Sequence, residues 1–212
     1  MNIEKTNPAQ PLRLHRACIS GHCHRVELML SLLGLPYENV EVDLRGGEQR
    51  RPAFLALNPL GQVPVLEDGT TALADSNAIL VYLVRRYAPG SAWLPEEALA
   101  AARLQRWFSL AASLLDYGTA TARYSALIGR TVTDESRTEG HRLLALMETQ
   151  LAATSWLLGG DAPTLADVSL YSYNSQAGIG GIALDDYPAV RAWLKRVEAL
   201  PGFIPLPSRL AS

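Results

Sequence analysis

The stretch NPLGQVPVLEDG, residues 58–69, constrains the fold of this chain more than any other. Val63, Val65 and Leu66 suit a β-strand, yet Pro64 stands among them. Proline has no N–H to give to a ladder, so it belongs at a strand start, a bulge or an edge. Asp68-Gly69 reads as a hairpin turn, with Thr70 to Leu73 as the return strand. A strand that starts abruptly after a bend, followed by a tight hairpin, limits what can surround it. Upstream, Leu12 to Ala17 predict a strand and Ser20-Gly21-His22 a break. Val26, Met29, Leu30 and Leu33 then form a helical stripe that Gly34 stops. Val40, Val42 and Leu44 alternate with Glu41 and Asp43, as in a half-buried strand, and Gly46-Gly47 is a loop. Phe54, Leu55 and Leu57 suggest a short helix or turn. Asp75 opens a helix whose inward face is Ile79, Tyr82, Leu83 and Tyr87. The order β-α-β-α-β-β-α over residues 11–87 describes a compact α/β domain.

Residues 88–95, with two prolines and a glycine, read as a linker. Beyond them, residues 96–212 lack alternation and read as an all-helical domain. One stripe is Leu143, Leu144, Leu146, Met147 and Leu151; another is Val190, Trp193, Leu194, Val197 and Leu200. Residues 1–10 are polar and are expected to be a disordered tail. The 212 residues suffice for two domains with sizeable cores. The net charge of −2 gives no electrostatic footprint for nucleic acid or anionic lipid. No apolar run reaches the length of a membrane span, and the N-terminus has no apolar signal segment. Two cysteines are too few for a disulfide scaffold and fit a reducing, cytoplasmic setting.

Several residues could carry chemistry. Ser20 lies where a strand turns into a helix. Backbone N–H groups there are unpaired and favour an anion, to which a hydroxyl can also donate. The plainer reading is an N-cap, the usual role of a serine before a helix. Cys23 would fall in the first helical turn, where a thiol can be activated, or be a small buried hydrophobe facing the sheet. His22, Cys23 and His24 are successive and cannot all face one ion from a helix, so no metal site is expected. Asp75-Ser76 opens another helix: Ser76 offers a hydroxyl and an N–H to a carboxylate, and Asp75 an acceptor to an ammonium group, unless both are caps alone. Two helix N-termini beside a bent strand would suit a small zwitterionic ligand. Thr164-Leu165-Ala166-Asp167 fits a capping box and reads as structural. Gly178 to Gly181 reads as a helix end.

Together these pieces resemble the soluble glutathione transferase family. The resemblance is carried chiefly by NPLGQVPVLEDGTTALADSNAILVYL, residues 58–83, and also by SGHCHRVELMLSLLGLPYE and PTLADVSLY. It implies a thioredoxin-like N-terminal domain followed by a helical-bundle domain, and glutathione as co-substrate. It also implies that Pro64 is cis, which lets Val63 present its N–H and C=O to an extended peptide as an added strand. The cysteinyl unit of glutathione would pair with Val63, beside Gln62 and Pro64. The γ-glutamyl carboxylate would sit on Ser76 with Asp75 near its ammonium group, and the glycyl end would reach Gln49 and Arg50. Ser20 would hold the thiolate, as in theta-like and bacterial serine-type members. Tyr117, Arg123 and Tyr124 would line the pocket for a small hydrophobic electrophile, unless they serve domain packing.

Three functions compete on this reading: conjugation of glutathione to an electrophile, glutathione-dependent peroxide or disulfide reduction using Cys23, and ligand binding without turnover. The resemblance further implies a homodimer, with the helix from Asp75 and the helix through Trp107 partly buried between chains.

Overall fold

The computed structural model describes residues 6–208. The chain forms two compact units, one built from residues up to Ser91 with the stretch from Pro201 onward, the other from Ala92–Leu200. Residues 1–5 of the expected tail lie outside the described residues. At its described end, the Thr6 hydroxyl donates to the Arg86 carbonyl at 3.1 Å.

The first unit runs β1 (Leu12–Arg16), α1 (Gly21–Leu33), β2 (Tyr37–Glu41), α2 (Pro52–Leu55), β3 (Val65–Asp68), β4 (Thr71–Ala74) and α3 (Ser76–Tyr87). The sheet order is β2-β1-β3-β4. β1 pairs with β2 in parallel and with β3 antiparallel, and β3 pairs antiparallel with β4. This is the expected βαβαββα domain. Leu12, Leu14, Val65 and Leu66 are buried in the sheet, and α1 buries Val26, Met29, Leu30 and Leu33. Gly34 ends α1 in the left-handed region at φ +68.

Two boundaries differ from the sequence reading. β2 begins at Tyr37 and ends at Glu41, earlier than the alternation around Val42 suggests. Parallel pairing with β1, from Leu12↔Tyr37 to Arg16↔Glu41, sets its limits, because β1 itself stops at Arg16. Val42 is instead buried just past the strand, packed with Phe54 and Val65. The hairpin loop is Gly69-Thr70 rather than Asp68-Gly69, since Asp68 pairs with Thr71. Asp68 stays in the strand as an anchor: its Oδ2 accepts from Tyr82 at 2.7 Å and also from the Tyr87 hydroxyl. Tyr82, expected on the inward face, is only half-buried.

The second unit contains α4 (Ala98–Leu110), a π-helical segment (Ala111–Ala120), α5 (Thr121–Leu127), α6 (Asp134–Ala153), α7 (Leu165–Asn174) and α8 (Pro188–Glu198). Gly118 kinks the π segment at φ −91, ψ −107, and a Cβ there would lie 2.5 Å from the Gly140 nitrogen of α6. Only glycine permits that approach. Of the α6 stripe, Leu143, Leu144, Met147 and Leu151 are buried, while Leu146 is 39% exposed. The α8 stripe buries Val190, Trp193, Leu194 and Val197 and leaves Leu200 half-buried.

Every residue of α7 is buried. A helix buried all round needs its polar ends satisfied internally. The Thr164–Asp167 capping box does this. Asp167 accepts from the Thr164 nitrogen at 2.8 Å, the Thr164 hydroxyl at 3.1 Å, the Leu157 nitrogen at 3.0 Å and the Trp193 indole at 2.8 Å. Helix α8 has no capping side chain of its own; Glu148 from α6 accepts from Ala189 N and Val190 N, both at 2.9 Å.

Removing the Asp167 carboxylate leaves these donors buried and unsatisfied, each worth about 1–3 kcal/mol. Asp167→Ala is expected to destabilise the helical unit by at least about 3 kcal/mol, and Asp167→Asn by less. Chemical denaturation followed by tryptophan fluorescence measures both.

Candidate glutathione site

The register of the sheet decides where the candidate residues go. His15 pairs with Val65, and Val65 with Ala74, while Arg16 pairs with Glu41 in parallel. The ends of β1, β2 and β4 and the start of β3 therefore lie at one end of the sheet. From that end depart the turn to Ser20, the loop of residues 42–51, the bend at Val63-Pro64 and the start of α3 at Asp75-Ser76. Four segments separated in sequence are thus gathered at one edge.

The turn after β1 is closed by Ser20 N donating to Ala17 O at 2.9 Å. Ser20 caps α1, its Oγ accepting from Cys23 N at 3.3 Å. The plainer N-cap reading therefore holds, and it is compatible with the other: the cap uses a lone pair of Oγ and leaves the hydroxyl proton to donate. Cys23 is buried, and its Sγ accepts from Ala17 N at 3.5 Å. Burial pushes its thiol up to about 12, outweighing the hydrogen bonds that oppose the shift. It is the small buried hydrophobe, not an activated thiol. His24 is buried with Nε2 against Ile204 O at 2.9 Å, and among the described residues no cluster of His, Cys, Asp or Glu could hold a metal ion.

The Val63–Pro64 bond is cis. Val63 is half-buried and precedes the ladder, whose first β3 pair is at Val65. Asn58 braces this bend: its Nδ2 donates to Gln62 O at 2.7 Å and its Oδ1 accepts from Leu60 N at 3.1 Å. The Gln62 side chain is exposed. In the neighbouring loop, Glu48 accepts from Asp43 N and Asp43 from Gly46 N, both at 2.8 Å, which fixes the turn bearing Gln49 and Arg50. Gln49 is half-buried with its Nε2 3.3 Å from Leu44 O, and Arg50 is exposed.

At α3, Asp75 has φ +68, which no other non-glycine among the described residues adopts on the positive side. Such a conformation is costly and concentrates at functional sites. Its Oδ1 caps the helix by accepting from Ala78 N at 2.8 Å. Ser76 is 5% exposed, and its Oγ accepts from Arg25 Nη1 at 2.8 Å; the same nitrogen donates to Asn77 Oδ1 at 3.1 Å. Arg25 and Asn58 have no role in the sequence reading. For Arg25 a signal existed: it stands three and four residues before Leu28 and Met29, on the buried side of α1.

Of the three residues read as an electrophile pocket, Tyr117 is 65% and Tyr124 57% exposed. Arg123 is buried, with Nε donating to Gln176 Oε1 at 2.7 Å, and burial lowers its pKa. Trp107 is also buried, its indole donating to Leu157 O at 3.1 Å. No helix among the described residues is long and apolar enough to cross a membrane.

This architecture has counterparts among known proteins. The family described as Glutathione S-transferase, N-terminal domain, matches residues 19–86, and Glutathione S-transferase, C-terminal domain, matches residues 110–201. Glutathione S-transferase 3 of Zea mays is 33% identical, covering 93% of this chain and 96% of its own. Maleylacetoacetate isomerase of Pseudomonas aeruginosa is 35% identical, covering 91% and 93%. A crystal structure of a glutathione S-transferase from Pseudomonas fluorescens superposes with a TM-score of 0.85 at 36% identity, covering 93% of this chain and 99% of that one. The chain belongs to the glutathione S-transferase family.

The contrast between the cysteines is measurable. In native protein near neutral pH, a thiol reagent should modify half-buried Cys18 and leave Cys23 untouched until unfolding. The folded state holds the Cys23 proton more tightly than the unfolded state does. Its contribution to stability is therefore complete below the unfolded value of 9.0 and is lost as pH rises from there toward about 12. A Cys23→Ala variant should show a weaker alkaline loss of stability in unfolding measured across that range.

Proposed function

We propose that this chain is a glutathione transferase that binds glutathione at the gathered edge of the sheet and conjugates its thiol to a small hydrophobic electrophile. The observation that carries this reading is the convergence of Ser20, Val63-Pro64, Asp75-Ser76 and the loop bearing Gln49 and Arg50, set by the strand register. In the proposed pose the cysteinyl unit pairs with the Val63 backbone beside Gln62. The γ-glutamyl carboxylate takes the Ser76 hydroxyl and the N–H groups of α3, with Asp75 facing the ammonium group. The glycyl carboxylate lies toward Gln49 and Arg50. Tyr117 and Tyr124 are the exposed aromatic candidates for contact with the electrophile.

Ser20 acts as a donor and not as a base. A cysteine-like thiol titrates near pH 8.5, and lowering that by two units takes about 2.7 kcal/mol. A hydroxyl donating to a charged sulfur supplies about 1.5–3 kcal/mol, and the start of α1 adds up to about 1 kcal/mol. Those two contributions suffice. The thiolate then attacks the electrophile.

Reduction through Cys23 is disfavoured by its burial and raised pKa. An isomerase reading draws support from the similarity to a maleylacetoacetate isomerase. A thiolate that adds to a conjugated double bond and later leaves isomerises it without consuming glutathione. Product analysis separates the two: conjugation depletes glutathione in step with substrate, and isomerisation does not. A homodimer in the cytoplasm completes the proposal. Two free cysteines are compatible with that setting, and sedimentation at micromolar concentration should give twice the chain mass.

Calorimetric titration tests the site. Wild type should bind glutathione, and Ser76→Ala should bind about tenfold or more weakly, the loss of about 1.4 kcal/mol. No binding to wild type at millimolar glutathione would overturn the reading. Ser20→Ala should bind nearly as wild type but lose about ten- to hundredfold in kcat, as expected for one donor worth about 1.5–3 kcal/mol.

A further inference from the structure

Arg25 is a guanidinium with 1% exposure in α1, a helix whose buried positions are otherwise mainly apolar. Its Nη1 reaches across to α3, to Ser76 Oγ at 2.8 Å and to Asn77 Oδ1 at 3.1 Å. These are the first two residues of α3. A guanidinium carries donors only, so it cannot receive the Ser76 proton. The Ser76 oxygen is thereby fixed as an acceptor on its inner side, and its O–H must point elsewhere. A full positive charge also sits behind the first turn of α3, where the helix already presents partial positive charge to an anion. Out of water, such a charge is weakly screened.

We propose that Arg25 is the positioning residue for the γ-glutamyl carboxylate of glutathione: it orients the Ser76 hydroxyl as an outward donor and adds its charge beneath the α3 N-terminus. It does not touch the ligand and acts through Ser76. This rests on the site assignment made above and names the part of that site that selects a carboxylate. Because the device is aimed at one group, its effect belongs to that group alone. The rest of the tripeptide, paired along Val63, is indifferent to it.

The test compares glutathione with γ-aminobutyryl-cysteinyl-glycine, which lacks only the γ-glutamyl α-carboxylate. Dissociation constants for both are measured by calorimetry on wild type, Arg25→Lys and Arg25→Met. Wild type should prefer glutathione by at least tenfold. Arg25→Met should bind glutathione at least tenfold more weakly and the analogue almost unchanged, so that the preference collapses. Arg25→Lys keeps the charge but not the fork, and should retain part of it. The ratio of the two constants is read on one folded preparation, so a loss of stability in the variant does not imitate the result. If Arg25→Met weakens both ligands equally, or leaves the preference intact, the inference is wrong while the site assignment stands. If wild type shows no preference, or binds neither ligand, the carboxylate is not held at α3, and both fall. Should Arg25→Met not fold, Arg25→Lys decides: an unchanged preference with wild-type affinity overturns an orienting role, and a reduced preference supports it.

Discussion

A one-residue slip in the pairing of β1 with β3 would dismantle the candidate site. Alternate side chains of a strand face opposite sides of the sheet, so such a slip turns each side chain to the other face. Leu14 against Leu66 is buried on both strands, which holds the register in place. Everything at the functional edge inherits its position from that pairing. Val65 is the first residue of β3 to join the ladder, so Val63 and Pro64 fall immediately outside it. Ala74 opposite Val65 brings Asp75 to the same edge. The hydrophobic pattern of the strands thus acts on function directly, through geometry.

The two units solve different problems. The α/β unit sets polar groups at its helix starts and carries a costly backbone conformation at Asp75. The helical unit closes its polar groups inward. Its helix α7 is buried along its whole length, and one carboxylate, Asp167, satisfies donors from three separate places in the chain. Glu148 serves α8 in the same manner from a neighbouring helix. Polar residues of similar sequence appearance therefore have opposite tasks, and the distinction lies in whether the helix they cap is buried along its length.

Much of this was legible in the sequence because it depends on local rules. Pro64 in a strand pattern, Gly34 after a helical stripe, and the Thr164–Asp167 box each announce themselves over a few residues. The limits of β2 were not legible, since a parallel partner sets them from the far side of α1. Neither was the role of Asp68, which looks like a turn residue until two tyrosines of α3 claim it. The family resemblance puts Arg123 with Tyr117 and Tyr124 at the electrophile pocket, whereas the structure buries it with Nε donating to Gln176. The helical stripe places Arg25 on the buried side of α1, but not the partner that it meets 51 positions away in the chain. Long-range polar contacts leave no periodic trace.

If Ser20 holds the glutathione thiolate, that thiolate can be observed without any second substrate. Its ultraviolet absorption should be titrated against pH in the complex with glutathione, for wild type and for Ser20→Ala. With Ser20 as the donor, the midpoint is expected about two units below 8.5 in wild type and back toward 8.5 in the variant. A wild-type midpoint at 8.5, or an equally lowered midpoint without the serine, would contradict it.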